Sequence, residues 1–202
     1  MDPLIRKKVA FIGDATVGKT SLISRFMYDE FYDNYNVTVG TDFHSKIITT
    51  NQKLRLRLQL LDIGSSMKHH SIVSSYVSNV NVCVLVYDIT NQESFVSVQQ
   101  WFKELQDITL TRTIQFYLVG NKIDLSSQES VSIVQAKSFA DSNNMKFICT
   151  SALSSMNVSS LFSMISDGII DNELLQQGLD AEMFEEEKRW GCLVSSCSFF
   201  HF

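Results

Sequence analysis

A single proline and eight glycines stand in this chain of 202 residues, so any cluster of glycine marks a place where backbone geometry matters. The densest cluster lies between residues 13 and 18. Long apolar runs are missing: none approaches ~18 residues, and the N-terminus has no stretch of signal-peptide type, so no membrane-spanning segment is expected. Met1-Asp2 excludes the Met-Gly start that myristoylation needs. A basic surplus is missing too. The net charge is -5, from 17 Lys and Arg against 22 Asp and Glu; residues 171 to 202 hold two basic and seven acidic side chains, which leaves residues 1 to 170 balanced at 15 of each. A neutral body with an acidic end gives no footprint for nucleic acid and no polybasic segment for anionic lipid. Metal-ligand spacing is absent from the four cysteines, Cys83, Cys149, Cys192 and Cys197. The first two sit in apolar strand-like runs where a small hydrophobe is expected. A reducing, cytoplasmic setting is the simplest expectation.

What is present is an alternation of short apolar runs and helical periodicities. Lys8 to Ile12 reads as a strand ending in the glycine cluster, and Leu22 to Met27 as a helix. "LRLRLQLL", Leu54 to Leu61, alternates with period two and pairs with "FHSKIITT" across a turn at Asn51-Gln52. Val80 to Tyr87 and Gln115 to Val119 are further strands; between them Phe95, Val98, Phe102 and Leu105 recur at helical spacing. Ser132 to Asp141 reads as a helix, Lys146 to Thr150 as a last strand and Val158 to Ile170 as a closing helix. Such alternation implies a mostly parallel sheet covered on both faces, in one domain over residues 1–170. Residues 171–202 read as an acidic, flexible tail, although Leu175, Leu179 and Met183 would extend a helix past Gly178. There is no internal repeat.

"GDATVGKT", Gly13 to Thr20, fits G-x-x-x-x-G-K-[ST] between a strand and a helix. Gly13 and Gly18 let the backbone of Asp14, Ala15, Thr16 and Val17 wrap so that successive N–H groups point inward, and the helix beginning near Lys19 adds its positive end. A polyphosphate would thus be bound largely by main chain. Lys19 supplies a mobile positive charge, worth ~4 kcal/mol at ~4 Å before desolvation. Thr20 would put its hydroxyl on a magnesium ion. "VGNKID", Val119 to Asp124, identifies the base: the Asp124 carboxylate accepts two hydrogen bonds at once, matching the N1-H and exocyclic amine of guanine, a pair that adenine does not present.

With these motifs, "GDATVGKTSLISRFMYDEF", "VTVGTDF", "LVYDITNQESF", "VGNKID" and "TSAL" in this order, the chain resembles the Ras-like small GTPases, and within them the Rab branch, over residues 5 to 170. "RFMYDEF" and "DITNQESF" look most like Golgi-associated Rabs of retrograde vesicle traffic. The resemblance implies a three-layer α/β/α P-loop fold with a six-stranded, mostly parallel sheet and one antiparallel edge strand. It implies GTP or GDP with magnesium, and an exchange factor, an activating protein and effectors as partners. Thr38 would be the switch threonine that ligates magnesium and senses the terminal phosphate, and Asp62 would reach the ion through water. Phe31 would lie against guanine, Asn121 and Lys122 belong to its motif with Lys122 over its face, and Ser151, Ala152 and Leu153 form the "TSAL" contact. Phe43 and Tyr76 match two members of the aromatic cluster that Rabs present to effectors; Leu61 stands where the third, usually tryptophan, would be.

Three departures stand out. The family loop W-D-T-A-G-Q-E reads Leu61, Asp62, Ile63, Gly64, Ser65, Ser66, Met67 here, so the glycine comes one residue early. With one residue deleted, Gly64 would take the family glycine's place and Ser65 the glutamine's; the match of Ser71 through Tyr76 favours the ungapped register. That register puts Ser65 at the phosphate-sensing glycine and Ser66 at the catalytic glutamine. Either way a serine replaces the side chain that orients the attacking water, and slow GTP hydrolysis is expected. Adjacent His69 and His70 are not assigned to that task. Second, Cys197 is followed by "SFFHF" and Cys192 lies further back, so no standard prenylation motif is present and membrane association, peripheral on Golgi or vesicle membranes, is left open. Third, Leu153 replaces a usual lysine. The leading expectation is a cycling Rab-like switch. Its rivals are a non-cycling GTP-binding module that presents an effector surface and, more distantly, a P-loop ATPase or kinase.

Overall fold

A computed structural model describes residues 4–32, 38, 40–51, 53–64, 76, 77, 79–108 and 114–176. The strands are β1 (Leu4–Ile12), β2 (Thr41–Thr49), β3 (Arg55–Ile63), β4 (Val82–Asp88), β5 (Gln115–Asn121) and β6 (Lys146–Cys149). Helices among the described residues include α1 (Lys19–Tyr28), α2 (Gln92–Ile108), α3 (Ile133–Ser142) and α4 (158–176), with a 3-10 helix at Ile123–Gln128. One six-stranded sheet runs β2-β3-β1-β4-β5-β6. Only β2, at the edge, pairs antiparallel; the other four ladders are parallel.

Burial follows this order. β4 lies at the centre and all seven of its residues are buried, the continuous apolar pattern of a strand covered on both faces. On one face Leu22 and Ile23 of α1 and Leu161, Phe162, Ile165 and Ile169 of α4 pack on Val9, Phe11, Leu58 and Val84. On the other, Phe95, Val98, Phe102 and Leu105 of α2, with Ala136 and Ala140 of α3, pack on Ala10, Ile12, Cys83 and Leu85. The helical spacing of α2 thus reports a buried stripe. Ser132 caps α3, accepting the Gln135 N–H at 3.1 Å.

β1 begins four residues before the apolar run suggests, because its polar first half pairs with β3 from Leu4 opposite Arg55 onward. At the other end, α4 continues six residues past position 170 and ties back to β1 by an ion pair between Lys7 and Glu173. The acidic segment from residue 177 lies outside the described residues. Burial pushes the Cys83 thiol up to about 12 and Cys149 to about 11, so neither forms a thiolate near neutral pH.

Phe162, 1% exposed, stacks on Phe26 with ring centroids 3.6 Å apart. Phe162→Ala is expected to lower stability by ~3–5 kcal/mol, read as a lower urea midpoint at unchanged slope; a loss under ~1 kcal/mol would contradict this packing.

Candidate functional site

The segments that follow the C-terminal ends of β1, β3, β5 and β6 converge on one cavity of about 520 Å³. Its phosphate-loop end is built by backbone. Thr16 and Gly18 take left-handed φ of 64° and 96°, and α1 starts at the next residue. A helix leaves its first N–H groups without intrahelical acceptors, and those of α1 open toward this space. Gly13 is required by contact: a Cβ there would meet the Val86 carbonyl oxygen at 2.2 Å.

Lys19 is 7% exposed and folds back over the loop, its Nζ donating to the Gly13 carbonyl at 2.9 Å and the Asp14 carbonyl at 2.8 Å. Burial lowers its pKa, against the nearby Asp62 and Asp14 carboxylates, which raise it. An anion in the cavity would relieve that penalty. Thr20 Oγ1 lies 3.0 Å from Thr38 Oγ1 and donates to Asp62 Oδ2. Asp62 is fully buried; burial raises its pKa, and the Thr20 hydroxyl and Lys19 lower it. Its second oxygen, Oδ1, is buried without a hydrogen-bond partner. Two hydroxyls and one half-satisfied carboxylate suit a hard, oxygen-seeking dication that completes its shell with phosphate and water. Among the described residues no cluster of three or more acidic, histidine or cysteine side chains offers an all-protein metal site.

The base end is held by side chains that bond one another. Asn121 Nδ2 donates to the Val17 carbonyl at 2.8 Å, and its Oδ1 accepts from Thr150 Oγ1 at 3.2 Å and from the Ala152 N–H at 3.3 Å. Ser151 Oγ donates to Asp124 Oδ1, which leaves the second lone pair of that oxygen and the whole of the other for a ligand's donor pair. Ser151 therefore acts through Asp124 rather than by lining the cavity. Lys122 sits at a left-handed φ of 68° with Nζ 2.6 Å from Asp88 Oδ2, while Phe31 and Leu153 line the cavity beside it.

The sequence-expected residues thus gather at one site, with exceptions. Gly13, Asp14 and Val17 contribute carbonyls to Lys19 and Asn121 instead of facing the cavity. Leu61 is 3% exposed in the core cluster, although its cross-strand partner Phe43 is 66% exposed; Tyr76 is half-buried. Leu61 thus packs under the surface expected there, because an aliphatic side chain at that register completes the α2-side core. Ser65, Ser66, His69 and His70 lie outside the described residues. Asp88 and Thr150 bond site residues, and Tyr32, Ser21, Ser24 and Leu125 line the cavity, without a role assigned to them from sequence. Asp88 and Thr150 stand inside the quoted motifs "LVYDITNQESF" and "TSAL", and Asp88 also ends a wholly buried strand; Ser21 and Ser24 follow the phosphate loop in its motif, while Tyr32 and Leu125 carried no signal.

Comparison with known families matches the chain to the Ras family over residues 8–171. The match spans every element of the sheet apart from the first residues of β1.

Gly64 closes the metal end. Its N–H donates to the Gly40 carbonyl at 2.9 Å, and a Cβ on it would meet the Thr38 carbonyl oxygen at 2.3 Å and that of Gly40 at 2.8 Å. Gly64→Ala should push Thr38 away from Thr20 and weaken magnesium-dependent binding of a polyphosphate ligand about tenfold, with binding in EDTA unchanged. Calorimetry with and without the metal checks this; equal loss in both conditions contradicts it.

Proposed function

Because the chain belongs to the Ras family, the small GTP-binding switches, we propose that it is a Rab-like switch of vesicle traffic that binds GTP and GDP with magnesium and hydrolyses GTP slowly. One observation carries the reading: Lys19 and Thr20, with Asp62 bonded behind Thr20, and Asn121 and Asp124, with Ser151 bonded behind Asp124, line the same cavity. A ligand must therefore carry a polyphosphate at one end and a donor pair for a carboxylate at the other. Guanine nucleotides meet both conditions; adenine nucleotides meet only the first.

Each part has a task. The loop amides and Lys19 bind the phosphates, and Lys19 gains back the stability that burial of its charge costs. The Thr20 and Thr38 hydroxyls, with Asp62 behind them, would hold magnesium, which would supply positive charge against the terminal phosphates. Asp124 reads the guanine edge, with Ser151 fixing its orientation. Thr38 reports on the terminal phosphate because the same side chain meets Thr20 and the same segment carries Gly40 into β2.

Hydrolysis places a water in line with the terminal phosphorus, a task of positioning more than of covalent chemistry. No glutamine stands between Gly64 and Met67. An activating protein would supply what this loop lacks, and effectors would meet Phe43 and Tyr76. "RFMYDEF" and "DITNQESF" support a place among Golgi-associated Rabs, in the cytoplasm and at vesicle surfaces.

Asp124→Ala is expected to cost at least ~3 kcal/mol of GDP affinity, about 100-fold, because it removes a charged acceptor for two hydrogen bonds. Calorimetry with magnesium present reads it, and undiminished affinity would refute guanine selection by this carboxylate. Single-turnover GTP hydrolysis should run at least about tenfold below that of a Rab carrying the glutamine; an equal rate would remove the slow-switch reading.

A further inference from the structure

α1 begins at the phosphate loop and ends at Asp29, whose left-handed φ of 58° turns the chain toward Phe31. Near that end stands Arg25, with its side chain only 15% exposed. Its Nε donates to the Ala152 carbonyl at 3.0 Å and one terminal nitrogen to the Leu153 carbonyl at 3.2 Å. The other terminal nitrogen donates to the Asp29 carbonyl at 2.7 Å and lies 3.2 Å from the Asp29 carboxylate. One planar fork therefore binds two segments that lie 127 and 128 residues and only four residues away in sequence.

Those segments are the two sides of the base end of the cavity. Ala152 and Leu153 line it from one loop, and Phe31, two residues beyond Asp29, lines it from the other; Arg25 does not line it. The Ala152 peptide is held from both directions, its N–H by Asn121 Oδ1 and its carbonyl by Arg25. All but one of the acceptors are main-chain carbonyls, which makes the clamp indifferent to the side chain at position 153. That explains how Leu153, 52% exposed, is accommodated without loosening the loop.

We infer that Arg25 is a positioning residue that sets the width of the guanine slot and thereby the lifetime of the bound nucleotide. The inference rests on the guanine-nucleotide reading above and adds a residue to its base end. A guanidinium is suited to the task because its donors lie in one fixed plane. Lysine, a point charge, would hold one segment and release the other. Other polar contacts of the slot, Asn121 to Val17, Ser151 to Asp124 and Lys122 to Asp88, anchor it to the phosphate loop, orient the carboxylate and fix the lysine, and none of the three joins the Phe31 side.

The test uses the full chain loaded with a fluorescent GDP analogue, comparing the unaltered protein with Arg25→Met and Arg25→Lys. Arg25→Met, which removes the bonds to Ala152, Leu153 and Asp29 together, is expected to release nucleotide at least about tenfold faster, the equivalent of one charge-assisted hydrogen bond, and Arg25→Lys at an intermediate rate. The acceleration should be the same in magnesium and in EDTA. Magnesium tripolyphosphate, which has no base, should bind the variants and the unaltered protein equally by calorimetry. Unchanged release rates overturn the inference, and so does a loss of tripolyphosphate affinity in step with GDP, which would mark Arg25 as a general support of α1. Should Arg25→Met fail to fold, Arg25→Lys decides by the same two readouts. Failure of the unaltered protein to bind GDP would strike the functional reading, whereas normal binding with equal release rates strikes only the role of Arg25.

Discussion

The side-chain amide of Asn121 is the join on which the site depends. β1 and β5 are not neighbours in the sheet; β4 lies between them. The loops that follow them meet only because the phosphate loop crosses the end of β4 and comes to rest on Asn121, 2% exposed. The approach is so close that a Cβ on Gly18 would fall 2.2 Å from Asn121 Nδ2. The amide donates to the Val17 carbonyl from its nitrogen and accepts from Thr150 and Ala152 at its oxygen, so one planar group serves both loops. A carboxylate would repel that carbonyl and a leucine would leave three polar groups buried and unpaired. The spacing between phosphate and base ends is therefore set inside the protein, before any ligand arrives.

Around this fixed frame the electrostatics are left incomplete. Lys19 and Asp62 are both buried, and desolvation opposes the charged form of each. Their mutual attraction offsets part of the penalty, and Asp62 Oδ1 keeps no partner. A polyanion and a dication together would satisfy both groups, so binding and folding stability are coupled by mass action. The two faces of the sheet, closed by α1 and α4 on one side and α2 and α3 on the other, supply the rigidity that lets such a polar centre persist.

How much of this can be read from the sequence follows from where each interaction's partners lie. The phosphate loop is legible because its work is done by backbone over eight consecutive residues, and backbone constraints such as the one at Gly13 leave glycines behind. Asp124 is legible through its fixed distance from Asn121. Arg25 is not, because its acceptors are carbonyls, which any residue provides, and lie 127 and 128 positions away. Leu61 misleads for the opposite reason: the resemblance sets it where a surface tryptophan would stand, but this aliphatic side chain is 3% exposed within the core. The end of the domain is blurred because α4 continues into exposed residues at 171 and 172 that no longer carry an apolar period.

The central claim is that this cavity is organised around a guanine nucleotide before any regulator acts on it. Its most direct test is the nucleotide content of the protein as first purified, extracted by denaturation and separated by ion-exchange chromatography. The account predicts close to one guanine nucleotide per chain, with magnesium, and a larger GTP fraction than a fast-hydrolysing relative retains. Protein recovered folded but free of nucleotide, or carrying adenine nucleotides instead, would contradict it.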